Sequence, residues 1–401
     1  MGKNKFRCLT ARYACLHASY WFFYCCLYGF AAVFLEAEGF LPSEVGIVLA
    51  LSAILSGLLS PVVASFLDRA KKIRLQTILA FLAAVCAVSL FALYGLDGHK
   101  RMIAVLFFLA ASVAELLQSL VSSLSVYYVE RGIPVNFGVG RGFGSVGYAV
   151  ASVFLGWLIV REGENAMLLT ASSACIIFLL LAISFPTAQN PVVQKPDAVP
   201  QEPCSLLQFF RRYRTYCLSL VGFFFLLCYH LMTENYMIHT IHRLGGDESD
   251  LGFSLMLSTI LEVPLALLFS RLSSKAGTAT WLRISAASFL LRSIGYLLAP
   301  SVRLFQAVQV FQLTAFGLYA PASVLYAREQ VAPEDMVKGQ GVLAAAFAFG
   351  NCLGNFLGGQ IIERWGTVAM LRTGAAFAVI GTVIVFRTVK NRSPETVTAG
   401  I

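Results

Sequence analysis

Six ionisable side chains stand inside long apolar stretches of the sequence: Glu115, Arg141, His230, Glu234, Glu262 and Arg292. A charge at the centre of a bilayer costs at least about 2.5–3.5 kcal/mol on insertion scales, so such residues tend to face a cavity and find partners there. Arg141 presents a planar fork of donors suited to a carboxylate or to vicinal hydroxyls. It lies one turn into its apolar stretch, so snorkelling to lipid phosphates is the competing reading. Tyr148, two turns further on, is spaced to stack on a ring of the same solute. Glu262 is central in its stretch, where a desolvated carboxylate loads and releases a proton near neutral pH. Arg292, at similar depth in the following stretch, is either its static ion partner or the charge that tunes it. Glu115 is followed on successive turns by Gln118, Ser119, Ser122 and Ser123. His230 and Glu234 share a helical face at i,i+4. His230 either titrates near neutral pH or is a satisfied interior group. The stripe Gln306, Gln309, Gln312 suits hydrogen bonding to hydroxyls, and Asn351 and Asn355 line one helical face. Each of these amides alternatively bridges two helices.

The elements that carry these residues follow from composition and pattern. Of 401 residues, 58% are hydrophobic and 13% are charged, about half the roughly 25% of soluble proteins. There is too little charge to cover a soluble surface, which disfavours a soluble enzyme, a nucleic-acid binder and a disordered chain. A helix needs about 20 mostly apolar residues to cross the roughly 30 Å hydrocarbon core. Twelve runs meet that need: 13–36, 43–67, 75–96, 102–128, 137–160, 166–186, 215–239, 250–272, 281–299, 304–327, 339–362 and 367–388. The expected fold is an all-α integral membrane protein. The first run follows Lys3, Lys5, Arg7 and Arg12 but is longer than a signal-peptide core, so it reads as an uncleaved first helix. Cys15, Cys25, Cys26, Cys86, Cys175, Cys228 and Cys352 sit inside apolar runs and no C-x-x-C pair occurs, which points to buried thiols rather than to a metal or redox site.

The sequence also divides in two. At an offset of 203 residues Pro61 falls on Pro264, and Gly138, Gly147, Gly156, Arg161 and Gly163 fall on Gly341, Gly350, Gly359, Arg364 and Gly366. The proline-rich stretch 187–214 reads as a linker between an N-terminal half (1–186) and a C-terminal half (215–390), with 391–401 a tail. Two parallel six-helix halves around a central pathway are the expectation. With both termini cytoplasmic, 21 of the 30 Lys and Arg lie inside and seven outside, leaving Arg141 and Arg292 within spans. The positive-inside rule favours that orientation in a cytoplasmic membrane.

This arrangement resembles the major facilitator superfamily. Pro61-Val-Val-Ala-Ser-Phe-Leu-Asp68-Arg69, followed by Lys71, Lys72 and Arg74, is similar to its signature between helices 2 and 3, which implies a gating role for Asp68 and Arg69. Within the superfamily the chain resembles the lactose-permease-like group of oligosaccharide, nucleoside and phenylpropionate proton symporters. Phe137-Gly-Val-Gly-Arg141-Gly-Phe-Gly144-Ser-Val-Gly147-Tyr148 carries the resemblance best. It implies a sugar-binding arginine at Arg141 and a stacking aromatic at Tyr148. Glu262-Val-Pro264 and Arg292-Ser-Ile-Gly295 resemble the group's helix 8 acid and helix 9 arginine. The helix 10 Lys, His and Glu of the group are replaced by Gln306, Gln309 and Gln312, and its helix 4 acid by Ser123. The helix 7 acids fall on His230 and Thr233. The group's coupling machinery is therefore absent in its familiar form.

The resulting expectation is a monomeric secondary transporter working by alternating access on a small polar solute, with a sugar or glycoside first. The solute is expected at midplane between the halves, on Arg141, Tyr148, Glu115, Gln309, Gln312 and Asn351. Coupling is expected to be by proton, with Glu262 the leading site and Arg292, Glu234 and His230 around it. A nucleoside or aromatic-acid symporter, an exporter and a non-transporting membrane sensor remain the alternatives. Lipid surrounds the spans; no cofactor, metal or nucleic acid is expected, and no motif supports an intramembrane enzyme. Gly142-x-Gly144-x-x-Gly147 spells a dinucleotide fingerprint, but no strand precedes it, so helix packing is the better reading.

Overall fold

The computed structural model describes residues 3–69, 74–96, 98–186 and 205–390. The first span is α1 (Lys3–Tyr24), a π-helical turn (Cys25–Gly29) and α2 (Ala31–Ala37), bent by 45° at Phe30. Spans two to six are α3 (Pro42–Arg69), α4 (Leu75–Leu93), α5 (Lys100–Val129), α6 (Phe137–Glu162) and α7 (Ala166–Ile183). The expected linker ends in a short helix, α8 (Leu206–Arg212), started by a Ser205–Gln208 capping box. Span seven is α9 (Arg214–Asn235) with α10 (Met237–Arg243), span eight is α11 (Glu248–Leu272), and span nine is α12 (Thr278–Leu298). Span ten is interrupted: α13 (Val302–Val308), a 3-10 turn (Gln309–Gln312), then α14 (Phe316–Gln330). The last element, α15 (Met336–Thr388), contains 53 residues, about 80 Å at 1.5 Å per residue and far more than one bilayer crossing. Gly366, at φ 77°, divides it into spans eleven and twelve.

Eight helical segments among the described residues are long and apolar enough to cross a membrane, or nine with the bent first span. One of the eight contains both α15 spans, and the charge-bearing α11 and α12 complete the twelve. No strand occurs among the described residues. The Gly142-x-Gly144-x-x-Gly147 sequence lies wholly within α6, as packing requires and nucleotide binding does not. Residues 187–204, the tail 391–401, Lys71, Lys72 and the side chains of Asp68 and Arg69 lie outside the described residues.

The internal repeat is visible in the backbone. Gly163 and Gly366, 203 positions apart, end matching helices with φ 87° and 77° and a common ψ of 173°. The bends at Phe30 (φ −118°, ψ 16°) and Tyr236 (φ −113°, ψ 24°) also correspond. Each precedes a helix of 7 residues, and positive-φ glycines follow at Gly39 and Gly245. A positive φ is cheap only for glycine, so matched glycines mark matched turns.

Two compact units are defined by backbone proximity, each taken over its described residues. One is Met1–Lys195 with Glu234–Ile260 and Asn355–Thr367; the other is Pro196–Thr233 with Leu261–Gly354 and Val368–Ile401. The first unit therefore holds the N-terminal half and the ends of spans seven, eight and eleven.

Candidate solute and coupling sites

In the first unit α1 and α6 build a polar face. Arg141 donates to Ser145 Oγ at 3.0 Å, and its guanidinium carbon lies 4.5 Å from the Trp21 ring centre. Both partners fix the position of the guanidinium. Tyr148 stands on the same face of α6, in edge contact with Trp21 at 6.3 Å, and is an electrostatic neighbour of Glu234. Glu115, half-buried on α5, accepts a 2.6 Å hydrogen bond from Ser56 Oγ of α3. Tyr24 and Tyr28 stack at 4.7 Å beside that carboxylate. Arg141, Tyr148, Glu115 and Glu234 are thus brought into one unit.

The second unit holds the other charged cluster. Arg292 is completely buried. It donates to His230 Nδ1 at 3.0 Å and to Gln309 Oε1 at 2.8 Å, and it lies 4.8 Å from the Tyr296 ring centre. Arginine can only donate, so Nδ1 is the acceptor and His230 is the neutral tautomer protonated on Nε2. Protonating Nδ1 would set two donors face to face and break this bond. Glu262 accepts from Gln312 Nε2 at 2.5 Å. Pro264, inside α11, cannot donate to the Ile260 carbonyl and so loosens the helix beside the acid. Gly317 brings span ten against the Glu262 backbone: a Cβ there would come within 3.3 Å of the Glu262 Cα.

Two of the three stripe glutamines bridge helices, one of the two readings open for these amides. Gln309 and Gln312 lie in the 3-10 turn, both essentially buried, and hold Arg292 and Glu262. The 3-10 turn interrupts the regular α-helical ladder of the span. Ser285 Oγ donates to the Ala315 carbonyl at 2.7 Å, and Thr314 Oγ1 donates to Ser288 Oγ at 2.8 Å, so the break is satisfied by α12. Asn351 is half-buried on α15, one turn before Asn355, which accepts from Asn235 at 2.6 Å. The six expected solute contacts divide between the units, with Gln309, Gln312 and Asn351 in the second. Trp21, Tyr24, Tyr28 and Ser56 were not expected. The three aromatic residues belong to a stripe at helical spacing with Tyr13 and His17, a signal present in the sequence; Ser56 left none.

At the end of the first unit remote from Lys3, four glycines fit against backbone. Gly46 faces the Asn355 carbonyl and Gly359 that of Pro42; Gly252 faces the Ser152 carbonyl and Gly156 that of Glu248. The repeat exchanges the two pairs. A Cβ on any of the four would overlap the facing oxygen. His239 and Glu36 join α10 to α2 at the same end, 2.8 Å apart, and Tyr236 donates to the Pro42 carbonyl at 3.3 Å. Spans two with eleven, and five with eight, are closed there.

Arg292→Lys keeps the charge but loses the fork that reaches His230 and Gln309 together. Losing one charge-assisted hydrogen bond of this kind costs about 1.5–3 kcal/mol. The variant is expected to melt several degrees lower in a thermal unfolding assay of the purified protein. An unchanged midpoint contradicts a bridging role.

Residues 13–372 match the MFS_1 like family. The chain belongs to that family. It is a multi-pass membrane transporter with the superfamily's twelve-helix fold, and not an enzyme. The MFS_1 like chain is 27% identical over 366 residues to a maltose permease of Geobacillus stearothermophilus, with 89% of each covered. Its fold is similar to the crystal structure of the nucleoside transporter NupG, with TM-score 0.72 and 16% identity, covering 95% of this chain and 98% of that one. It is also similar to a D-xylose-proton symporter, with TM-score 0.68 and 12% identity, covering 95% and 97%.

Proposed function

We propose that this transporter moves a sugar or glycoside across the cytoplasmic membrane by alternating access, coupled to protons. The observation that carries the sugar reading is the polar face of α6. There Arg141 presents a donor fork beside Trp21, Ser145 and Tyr148, the pairing of hydroxyl recognition with ring contact that a sugar needs. Similarity to a maltose permease along 89% of the chain supports the same class. Glu115 adds an acceptor on the α5 side. Glu262 is the coupling carboxylate. It is half-buried on α11 and accepts from the Gln312 amide. Arg292 and His230, in the same unit, are its electrostatic background. Both termini are cytoplasmic, on the distribution of Lys and Arg, so the glycine-packed end is the outer gate. Asp68 and Arg69 belong to the inner one. The N-terminal and C-terminal halves, 1–186 and 215–390, are the rocking bodies, and 187–214 is their linker.

A thermal-shift screen of purified protein against maltose, uridine and an aromatic acid at pH 6 and pH 8 tests the class. Stabilisation by maltose that changes between the two pH values is expected. Stabilisation by uridine alone overturns the sugar reading, and a pH-independent shift counts against a titrating site.

A further inference from the structure

We propose that Trp21 is the positioning residue that keeps Arg141 in the solute site, and that Gly144 exists to seat it. This rests on the reading of Arg141 as a solute contact. Arg141 is the fifth residue of α6, which begins at Phe137. At that depth a flexible arginine reaches the headgroup phosphates with little penalty. Something must therefore hold it inward before any solute arrives.

The α1–α6 pair has two faces. Ala18 and Phe22, with Phe143, Val146, Val150 and Phe154, line an apolar groove on one. Trp21 and Tyr24, with Arg141, Ser145 and Tyr148, occupy the other. Trp21 is fixed there from several directions. Tyr20 and Tyr24 meet it edge-on, each with centroids 5.4 Å away, and Tyr148 does so at 6.3 Å. Gly144 supplies the seat: a Cβ at that position would overlap the indole Cδ1 and approach Nε1 to 3.0 Å. The indole is rigid and boxed in by three tyrosines, so it cannot yield as a flexible chain would. Its ring face attracts the guanidinium 4.5 Å away through the aromatic quadrupole. Ser145 takes one N–H at 3.0 Å, and the planar fork carries further donors that can meet a solute. The sequence Arg141-x-x-Gly144-Ser145-x-x-Tyr148 is thus one device, with Trp21 from α1 as its fixed wall.

Two measurements on the full-length protein test this. The first needs no solute. In proteoliposomes the rate at which phenylglyoxal modifies Arg141, read by peptide mass spectrometry, should rise about tenfold in Trp21→Leu and return towards wild type in Trp21→Phe. Gly144→Ala, which displaces the indole without removing it, should raise the rate as well. The second measurement is maltose uptake. Trp21→Leu should raise KM about tenfold with kcat within about twofold, as loss of a cation–π hold predicts. Trp21→Leu combined with Arg141→Lys should be no worse than Arg141→Lys alone. An Arg141 modification rate unchanged in Trp21→Leu overturns the proposal whatever the solute is. If that variant does not fold, an unchanged rate in Gly144→Ala overturns it instead. Multiplying effects in the double variant also overturn it. Absence of maltose uptake by wild type, with the modification rates as expected, overturns the sugar reading and leaves the positioning role standing.

Discussion

Glu262→Gln is expected to abolish accumulation of solute against a gradient while sparing exchange of solute for solute. The substitution is nearly isosteric, and the new amide oxygen still accepts from Gln312, which bonds Glu262 at 2.5 Å. Fold and hydrogen bond are thus retained, and only the ability to take and release a proton is lost. At one proton per solute, a gradient of one pH unit supports about tenfold accumulation, since 1.4 kcal/mol is a factor of ten. Wild-type proteoliposomes with an acidic exterior should approach that ratio. The variant should stop near equality, yet load labelled solute by counterflow. Accumulation at the wild-type ratio removes Glu262 from coupling. The next candidates are then Glu234, beside Tyr148, and Glu115, beside Ser56.

The second large effect is at the glycine-packed end. Gly46 and Gly252, 206 positions apart and so three residues off the 203 offset, take matching places in the two exchanged pairs, and each lies against the backbone oxygen of another span, Asn355 and Ser152 respectively. Native packing leaves no void for even a methyl group at these points. Gly46→Trp with Gly252→Trp is expected to prevent closure at that end. Transport should fall at least about a hundredfold, because a carrier that cannot close one gate cannot cycle. Solute binding should survive, because Arg141, Trp21 and Tyr148 are untouched. Cys25 is buried in the closed form and neighbours Tyr148. It should become reactive to a membrane-impermeant maleimide added outside, with peptide mass spectrometry as the readout. Wild-type uptake in the double variant contradicts the gate.

The twelve spans and their twofold repeat were legible in the sequence because apolar run length and a constant residue offset are both linear signals. The repeat reappears in the structure as Gly163 and Gly366 with the same ψ. The helix breaks were not legible. Cys25–Gly29 and Gln309–Gln312 are as helix-compatible in composition as their neighbours. The break after Gln309–Gln312 is met from α12 by Ser285 and Ser288, which no local pattern reveals. The six intramembrane charges were found because charge in an apolar run is costly. What each one touches was not found, since contact depends on which helix lies opposite. Gln309 and Gln312 show the consequence. As residue types they suit a solute's hydroxyls, yet they hold Arg292 and Glu262. Trp21 was passed over for the complementary reason: an aromatic residue in an apolar run carries no cost, and only the absence of a side chain at Gly144 makes its position specific.

Proton movement during solute entry tests the central claim most directly. Maltose added to weakly buffered proteoliposomes should produce an immediate alkaline shift outside. The shift should be proportional to uptake, abolished by a protonophore and absent in Glu262→Gln. Maltose uptake without any pH change in the wild-type protein would contradict proton coupling.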